Sequence, residues 1–198
     1  MPLQIGQRQD HGFTEPLGLL SDCHRRIEHF LRVLLAIDRE SAGGPLAAGP
    51  RAELEAALAY FATAAPKHTA DEEESLFPRL RTARDPAMIQ ALDLLDRLER
   101  DHNEADRHHA AVDVLGRRWL ATDGLHLAEV GALRAHLAAL QAIYKEHIGV
   151  EDRDLFPAAA RLLSSGQLIE VGIEMAARRK AGSKTVSHAG PRSPILRS

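Results

Sequence analysis

The sequence predicts an all-α fold, an up-down-up-down four-helix bundle with a short extra helix near its C-terminal end. Aromatic residues make up only 4% of the 198 residues, while Ala and Leu are abundant, and those two residues lead the scale of helix propensity. Apolar residues recur at spacings of three and four along four long segments, as they do on one face of a helix. Short connections between such segments are typical of an up-down-up-down bundle.

The first two predicted helices are separated by the Gly- and Pro-rich stretch 41–50. The first begins after Thr14, which can cap it. Its apolar face carries Leu17, Leu20, His24, Ile27, Leu31 and Leu34. The second begins near Arg51, and its face carries Leu54, Leu58, Phe61, Ala65, His68, Glu72 and Leu76. Pro66 and Pro78 interrupt this second run, which predicts a kink at the first proline and a distorted helix end after the second.

The third predicted helix spans about residues 85–120, and the turn 122–124 leads into a fourth over about 125–163. The face of the third carries Leu95, Leu98, His102, Ala105, His109 and Val112. The face of the fourth carries Leu133, Leu137, Leu140, Tyr144, His147 and Glu151. A shorter amphipathic helix is predicted over 164–180. Residues 181–198, rich in Ser, Gly, Pro and basic side chains, are predicted to form a disordered tail.

Part of the second helix is repeated in the fourth. Five residues match at an offset of 79 positions: His68, Glu72, Leu76, Phe77 and Pro78 recur as His147, Glu151, Leu155, Phe156 and Pro157. His24 and His102 precede the two repeated histidines by 44 and 45 residues. The chain therefore resembles a duplicated αα-hairpin in which each half contributes two histidines, and a pseudo-twofold axis would bring the halves together.

The composition restricts which partners the protein can have and in which compartment it can lie. The net charge is −3, too small to indicate a nucleic acid or another highly charged partner, and the sequence favours no oligomeric state. Cys23 is the single cysteine, so a disulfide framework and a Cys-based zinc site are excluded. There is no charged start followed by an apolar run, and no apolar stretch long enough to cross a bilayer. We therefore expect a soluble, cytoplasmic protein with no membrane partner.

Each of the four long helices carries one histidine where its apolar period calls for Leu or Ile: His24, His68, His102 and His147. A single histidine in such a place is usually a buried polar residue with a hydrogen-bonding neighbour. Four of them, together with Glu72 and Glu151 on the same core, would leave several polar groups and two charges without water, at a cost of several kcal/mol. A metal would occupy the lone pairs and neutralise the carboxylates.

The spacing of the repeated motif also suits a metal. In His-x-x-x-Glu the two side chains lie one turn apart on the same helix face, so the imidazole can bind one ion while the carboxylate reaches a second. Imidazole with carboxylate suits iron, and suits manganese or zinc less well, while the lack of thiolates argues against copper(I) and iron–sulfur clusters. The order differs from the Glu-x-x-His motif of ferritin-like bundles.

This pattern resembles the hemerythrin-like (HHE cation-binding) domain over about residues 14–163: His24 … His68-x-x-x-Glu72 … His102 … His147-x-x-x-Glu151, with Leu-Phe-Pro after each His-x-x-x-Glu. The resemblance implies a non-haem centre of two iron ions. By position, His24 and His68 would bind one iron, and His102 and His147 the other. Glu72 and Glu151 would bridge the two ions, together with an oxo or hydroxo bridge. The implied ligand is a diatomic gas, O2 or NO.

The sequence departs from the family pattern at one position. Oxygen-carrying hemerythrins have His-x-x-x-His on the third helix, whereas here His102 is followed four residues later by Asp106. Either an iron has an additional open position, taken by water, or Asp106 is a ligand. Glu28, one turn after His24, is equally either a ligand or a residue that supports one.

This departure favours the bacterial hemerythrin-like proteins associated with nitric oxide or oxygen response, iron–sulfur repair and redox sensing over simple oxygen carriage. The predicted function is therefore binding of O2 or another diatomic ligand at a di-iron site. Two alternatives stay open. One is a di-iron enzyme that breaks down peroxide or nitric oxide, and the other is iron delivery or storage for iron–sulfur cluster repair.

We do not interpret the other polar residues near the motifs as metal ligands. We interpret Asp71, Glu73 and Glu74 as a solvated helix face. His109, two turns beyond the histidine of the third helix, is predicted to be a core polar residue or part of a proton path. Tyr144 is predicted either to hydrogen-bond near the site or simply to pack. The basic residues near the C-terminal end are interpreted as a solubilising segment: Arg178, Arg179, Lys180, Lys184, Arg192 and Arg197.

Overall fold

Helices form every element of secondary structure in residues 10–83 and 87–184, the ranges that the structure, a computed structural model, describes; side chains of residues 87–91 and 182–184 are outside that description. The predicted all-α class is confirmed. Within the same ranges, no helix is both long enough and apolar enough to cross a membrane.

The first half of the chain contains four α-helices and one π-helical segment: α1 (Pro16–Ser41), α2 (Ala48–Thr63), α3 (Ala65–Asp71), the first π segment (Glu72–Leu76) and α4 (Phe77–Thr82). The second half repeats the plan with fewer breaks: α5 (Ala87–Ala121), α6 (Leu127–Val150), the second π segment (Glu151–Leu155), α7 (Phe156–Leu162) and α8 (Ser165–Lys184). Glu15, rather than the predicted Thr14, occupies the N-cap of α1, and no side chain caps this end.

The predicted kink near Pro66 is confirmed. α2 ends at Thr63, and α3 restarts at Ala65 with the proline in its first turn. A proline in the first turn of a helix costs no hydrogen bond, because the N–H groups of that turn have no acceptor within the helix. The chain can therefore bend here and continue as a helix.

The second distortion lies before Pro78 rather than after it as predicted. The N–H of Phe77 bonds to the carbonyl of Glu72, five residues back, and the N–H of Phe156 bonds to the carbonyl of Glu151 in the same way. Each of these widened turns is followed at once by an α-helix with proline in its first turn. The repeated Leu-Phe-Pro thus marks the end of a π segment that begins at a glutamate, and π segments are frequent at functional sites.

The long helices pack side by side around two apolar clusters. α1 contacts α2 and α6, and α5 contacts the same two helices, while α8 lies on α1 and α3. One cluster includes Ile27, Leu31, Leu58, Phe61, Ala105 and Leu137. The other includes Leu20, Leu76, Phe77, Leu98, Phe156 and Met175. On α1, His24 lies between Leu20 of one cluster and Ile27 of the other, so the histidines occupy the layer between the two apolar regions.

The C-terminal helix is attached to the rest of the chain by ion pairs. Arg178 Nη1 lies 2.7 Å from Oδ1 of Asp71, and Arg179 pairs with the other oxygen of this carboxylate, whose side chain is fully buried. The interpretation of Asp71 as solvated, and of these two arginines as a solubilising segment, is therefore wrong. The helix continues to Lys184, and the rest of the predicted tail, 185–198, lies outside the described residues.

Candidate metal centre

The six predicted site residues come together in two groups that share both glutamates. Within each group the potential ligand atoms all lie within 4.8 Å of one another. The first group is His24, His68, Glu72 and Glu151, and the second is Glu72, His102, His147 and Glu151. The pairing of histidines is the one that the family resemblance implies.

The carboxylate of Glu72 faces histidines of both groups. Its Oε1 lies 3.3 Å from Nε2 of His68 and 3.8 Å from Nε2 of His24. Its other oxygen, Oε2, lies 3.3 Å from Nε2 of His102. One carboxylate oxygen is therefore directed to each group, which is the arrangement that a bridging carboxylate requires.

Glu151 occupies the equivalent position on the second π segment. Its Oε2 lies 3.0 Å from Nε2 of His24 and 3.2 Å from Nε2 of His147. This glutamate also reaches one histidine of each group. All four imidazoles present Nε2 to the carboxylates, so the same ring nitrogen is available as a ligand in each case.

The hydrogen bonding of these residues is incomplete in a way that fits a cation. All six side chains are buried. Nε2 of His24, Nε2 of His102 and the oxygens of Glu72 and Glu151 contact one another at 3.0–3.8 Å, but none of them forms a hydrogen bond of normal geometry among the described residues. Leaving buried polar atoms unpaired is costly, and more so for charged groups. Imidazole nitrogens and carboxylate oxygens are suitable donors to a transition metal, so the residues present fit the metal that the pattern implies.

The electrostatics of the metal-free cluster favour two protonated histidines beside two ionised glutamates. Burial works against charge on Glu72, but His68, His102 and His24 hold its pKa well below the usual range. Burial likewise lowers the pKa of His102, but the carboxylates of Glu72 and Glu73 beside its ring raise it to about 10. The pKa of His24 is also raised well above its ordinary value, against burial, by Asp152 and the glutamates. A cation can replace these two protons.

Three of the four histidines are held by a carboxylate at the opposite ring nitrogen. Nδ1 of His102 lies 2.8 Å from Glu73, and Nδ1 of His24 lies 3.0 Å from Asp152. Nδ1 of His147 lies 3.5 Å from Asp101. Such contacts fix the tautomer and orientation of a ligand histidine. We call the three residues that make these contacts the positioning carboxylates: Glu73, Asp152 and Asp101.

Sequence reasoning missed the positioning carboxylates. The interpretation of Glu73 as part of a solvated face is wrong, because the residue contacts His102. One signal could have found it: Glu73 and Asp152 are both acidic at the same offset of 79 residues as the repeated motif. The acidic character of the repeat therefore extends one position beyond each glutamate.

His68 differs from the other three histidines. Its Nδ1 is buried and has no hydrogen-bond partner within the described ranges, and burial lowers its pKa to about 4. Cys23 stands 78 residues before Asp101, as His24 stands 78 before His102. Where the second half has a positioning carboxylate, the first half therefore has a buried thiol, and burial raises its pKa.

The phenylalanines of the two Leu-Phe-Pro stretches cover imidazoles. The ring of Phe156 stacks on His24 with centroids 5.4 Å apart and 12° between the planes. Phe77 lies parallel to His102 at 6.2 Å and 8°. Each phenylalanine therefore contacts a histidine of the other half of the duplication, as the positioning carboxylates Glu73 and Asp152 do. Residues of the repeated stretch in each half thus support a ligand histidine of the other half.

The two carboxylates whose role the sequence left open lie outside both ligand groups. Glu28 is exposed, and its Oε2 is 3.7 Å from Arg32, one turn further along α1. Asp106 is exposed as well, and it lines a small cavity beside the centre, which we call the inner cavity. Burial raises the pKa of Asp106 above its ordinary value.

The inner cavity extends from the centre to two further polar side chains, His109 and Tyr144. Its volume is about 20 Å³, and its wall includes all four histidines of the two groups together with His109 and Tyr144. Apolar side chains of Ile27, Phe61 and Ile148 complete much of the wall. A space of this size exceeds what one water molecule needs, so it can hold a small ligand beside the imidazoles.

The fold and the site define a helical protein with a buried histidine and carboxylate cluster suited to metal. The chain belongs to the family of the Hemerythrin HHE cation binding domain, whose model matches residues 15–159. A relative from Haemophilus influenzae, named only as an uncharacterized protein, is 28% identical over 170 residues, which cover 85% of this chain and 92% of that protein.

Proposed function

We propose that this chain is a non-haem di-iron protein that binds dioxygen or another diatomic ligand. The proposed ligands are His24, His68, Glu72, His102, His147 and Glu151. The observation that carries the proposal is the position of the two buried glutamates, each of which reaches histidines of both groups while its oxygens form no hydrogen bond of normal geometry in the described part of the chain.

The proposal includes the architecture around the centre. The four long segments (α1, α2 to α4, α5, and α6 to α7) would form an up-down-up-down bundle, with one histidine from each at the same level. The adjacency of α1 with α2 and α6, and of α5 with α2 and α6, supports this arrangement. We also propose a cytoplasmic location.

Iron is the metal that the donor set favours. Nitrogen from imidazole and oxygen from carboxylate suit it, and the described residues place no thiolate in either ligand group. The two glutamate carboxylates would cancel half of the positive charge that two divalent ions would bring into the buried site. The positioning carboxylates Glu73, Asp152 and Asp101 hold three of the imidazoles with Nε2 directed to the centre.

The chemistry that a bound iron pair supplies is reversible coordination of a small gas accompanied by electron transfer. The chain supplies the space for it. The inner cavity of about 20 Å³ limits a guest to the size of one small molecule, and Ile27, Phe61 and Ile148 keep the approach largely apolar. The rings of Phe77 and Phe156, which belong to the apolar cluster that includes Leu20, stack on the imidazoles of His102 and His24.

Turnover of peroxide or nitric oxide is the second candidate function. Each ligand group contains two histidines and the same two glutamates, so both ions would have room for a further ligand. Oxygen-carrying hemerythrins have a further histidine on the third helix, at the position of Asp106 in this chain. Iron delivery is disfavoured, because all six proposed ligands are buried and exchange with a partner would require opening of the helices.

Metal analysis with optical spectra tests the proposal. We expect two irons per chain in protein purified from iron-sufficient cells, and a near-ultraviolet band that appears under oxygen and disappears under vacuum over repeated cycles. Irreversible bleaching with formation of product would favour turnover, and loss of iron to a mild chelator would favour delivery. His24→Ala should lower the iron content, while His29→Ala, five residues along the same helix at an exposed position, should not. A parent protein without iron would contradict the proposal.

A further inference from the structure

His109 and Tyr144 form a hydrogen-bonded pair beside the candidate metal centre. Nε2 of His109 lies 2.7 Å from the hydroxyl oxygen of Tyr144. Both side chains line the inner cavity that the four candidate ligand histidines also line. The pair joins α5 to α6, the helices that carry His102 and His147. It therefore forms part of the wall of the space in which a ligand of the metals would lie.

The pair is electrically neutral at physiological pH. Burial lowers the pKa of His109 to about 4, so the imidazole carries a single N–H. Burial also raises the pKa of Tyr144 above the ordinary value of a phenol, so the hydroxyl keeps its proton. The wall thus offers hydrogen bonds without adding a charge to the buried centre.

One hydrogen of this pair is not used by its internal hydrogen bond. If the imidazole proton is on Nδ1, the phenol donates to Nε2 and the Nδ1–H is spare; Nδ1 has no partner among the described residues. If the proton is on Nε2, it is donated to the Tyr144 oxygen and the phenol O–H is spare. Both tautomers leave one donor that a guest can use.

Contact between a guest and the Tyr144 hydroxyl favours the second tautomer, because only that tautomer leaves the phenol O–H free. Tyr144 lines the inner cavity and a surface pocket of about 370 Å³, while His109, with Phe61, lines the inner cavity and a different surface pocket of about 330 Å³. The rings of Phe61 and His109 stack at 4.2 Å, which fixes the imidazole between the two spaces. A guest in the inner cavity can then accept a hydrogen bond from the phenol O–H.

We propose that Tyr144, held by His109, donates a hydrogen bond to a small acceptor ligand bound in the inner cavity. The inference rests on the proposed function, because the ligand's other contact would be with the metals. The ligands favoured are those with negative charge on their free end, such as a pseudohalide or a reduced diatomic molecule. Neutral gases accept hydrogen bonds weakly, so they gain less affinity from this hydrogen bond.

Azide is the probe for this test, because it is small, anionic and a hydrogen-bond acceptor. Azide is titrated into the oxidised, iron-loaded parent, Tyr144→Phe and Tyr60→Phe, and the dissociation constant is read from the ligand-to-metal absorption band. Tyr144→Phe should weaken azide binding roughly 10- to 100-fold, as expected for loss of a hydrogen bond to a charged group, with the iron content unchanged. Tyr60 is the matched control, since it stacks on Phe30 and does not line the inner cavity.

An isotope measurement separates a direct hydrogen bond from a general loosening of the site. The infrared stretching band of bound azide should shift when H2O is replaced by D2O in the parent and in Tyr60→Phe, and should not shift in Tyr144→Phe. Unchanged azide affinity, a retained isotope shift or loss of iron in Tyr144→Phe would each overturn the proposal. A parent that holds two irons and binds no azide would overturn this inference alone, whereas a parent without iron would overturn the proposed function as well.

Discussion

The carboxylate of Glu73 lies 2.8 Å from Nδ1 of His102, on the side of the imidazole opposite the shared glutamates. The same contact occurs 79 residues later, where Asp152 lies 3.0 Å from Nδ1 of His24. In both cases a residue on the second helical segment of one half holds a histidine on the first segment of the other half. The duplication therefore works by exchange of contacts between halves, and neither half could complete the site alone.

Removal of a positioning carboxylate should weaken metal binding without removing a ligand. Glu73→Ala and Asp152→Ala are each expected to lower iron affinity by about 10–100-fold and to leave two irons bound when iron is in excess. The reason is that the freed imidazole loses its preferred tautomer and orientation. Competition with a chelator of known affinity measures the effect.

Glu74→Ala provides the control for this prediction. Glu74 is the next residue on the same π segment, but its side chain is exposed and contacts Arg178 rather than a histidine. The iron affinity of Glu74→Ala should equal that of the parent. If Glu73→Ala and Glu74→Ala behaved alike, the contact between Glu73 and His102 would have no role in metal binding.

Asp106→Ala should keep both irons and the spectrum of the parent. Asp106 is exposed and belongs to neither ligand group, although it stands where oxygen-carrying hemerythrins have a histidine. Iron content and the absorption spectrum of the variant, measured beside Asn103→Ala on the same helix, check this. Loss of one iron in Asp106→Ala alone would identify the residue as a ligand and show that its carboxylate moves on metal binding.

Removal of iron should lower the melting temperature. The metal binds the folded chain, so its removal withdraws the stabilisation that binding contributes, and it leaves two carboxylates and four imidazoles buried together. Thermal unfolding is followed by circular dichroism with and without a chelator. The same chelator already saturated with iron is the control. Equal melting temperatures in the two samples would mean that the metal contributes nothing to the fold.

Metal loading should release protons at neutral pH. In the metal-free cluster the pKa of His102 is raised to about 10, and that of His24 is also well above its ordinary value, so both imidazoles are protonated at pH 7. Each must lose a proton to bind a metal, so about two protons should be released per chain. Iron affinity should therefore fall as the pH is lowered and rise as the pH approaches 10.

Anaerobic calorimetry of Fe(II) binding in buffers of different ionisation enthalpy counts these protons. The variant His102→Ala should release about one proton fewer than the parent. Heat that is the same in every buffer would show that His24 and His102 are already neutral before metal binds.

The ligand positions could be predicted from sequence because they replace apolar residues in a periodic stripe. His24 takes the place between Leu20 and Ile27 on the buried face of α1, and the equivalent histidines do the same on the other long helices. Residue type and period together therefore identify a buried polar cluster. The same argument located the long helices, whose bounds follow the apolar period and the prolines.

The contacts that surround the ligands could not be predicted in this way. Glu73 follows a ligand glutamate directly, and whether its side chain meets solvent or His102 depends on the widened π turn and on the helix packed beside it. Asp71 and Arg178 are 107 residues apart, and neither carries a local pattern that indicates the other. Long-range pairing of charged side chains depends on tertiary packing, which a helical period does not encode.

The central claim is that the repeated stretch builds one two-metal centre through Glu72 and Glu151. Iron content per chain, measured on the parent, Glu72→Ala and Glu151→Ala after identical iron loading and gel filtration, tests it most directly. We expect two irons in the parent and a similar loss of iron in both variants, because each glutamate reaches histidines of both groups. Two irons retained in both variants would contradict the account and would mean that the repeated stretch is a folding motif rather than a metal site.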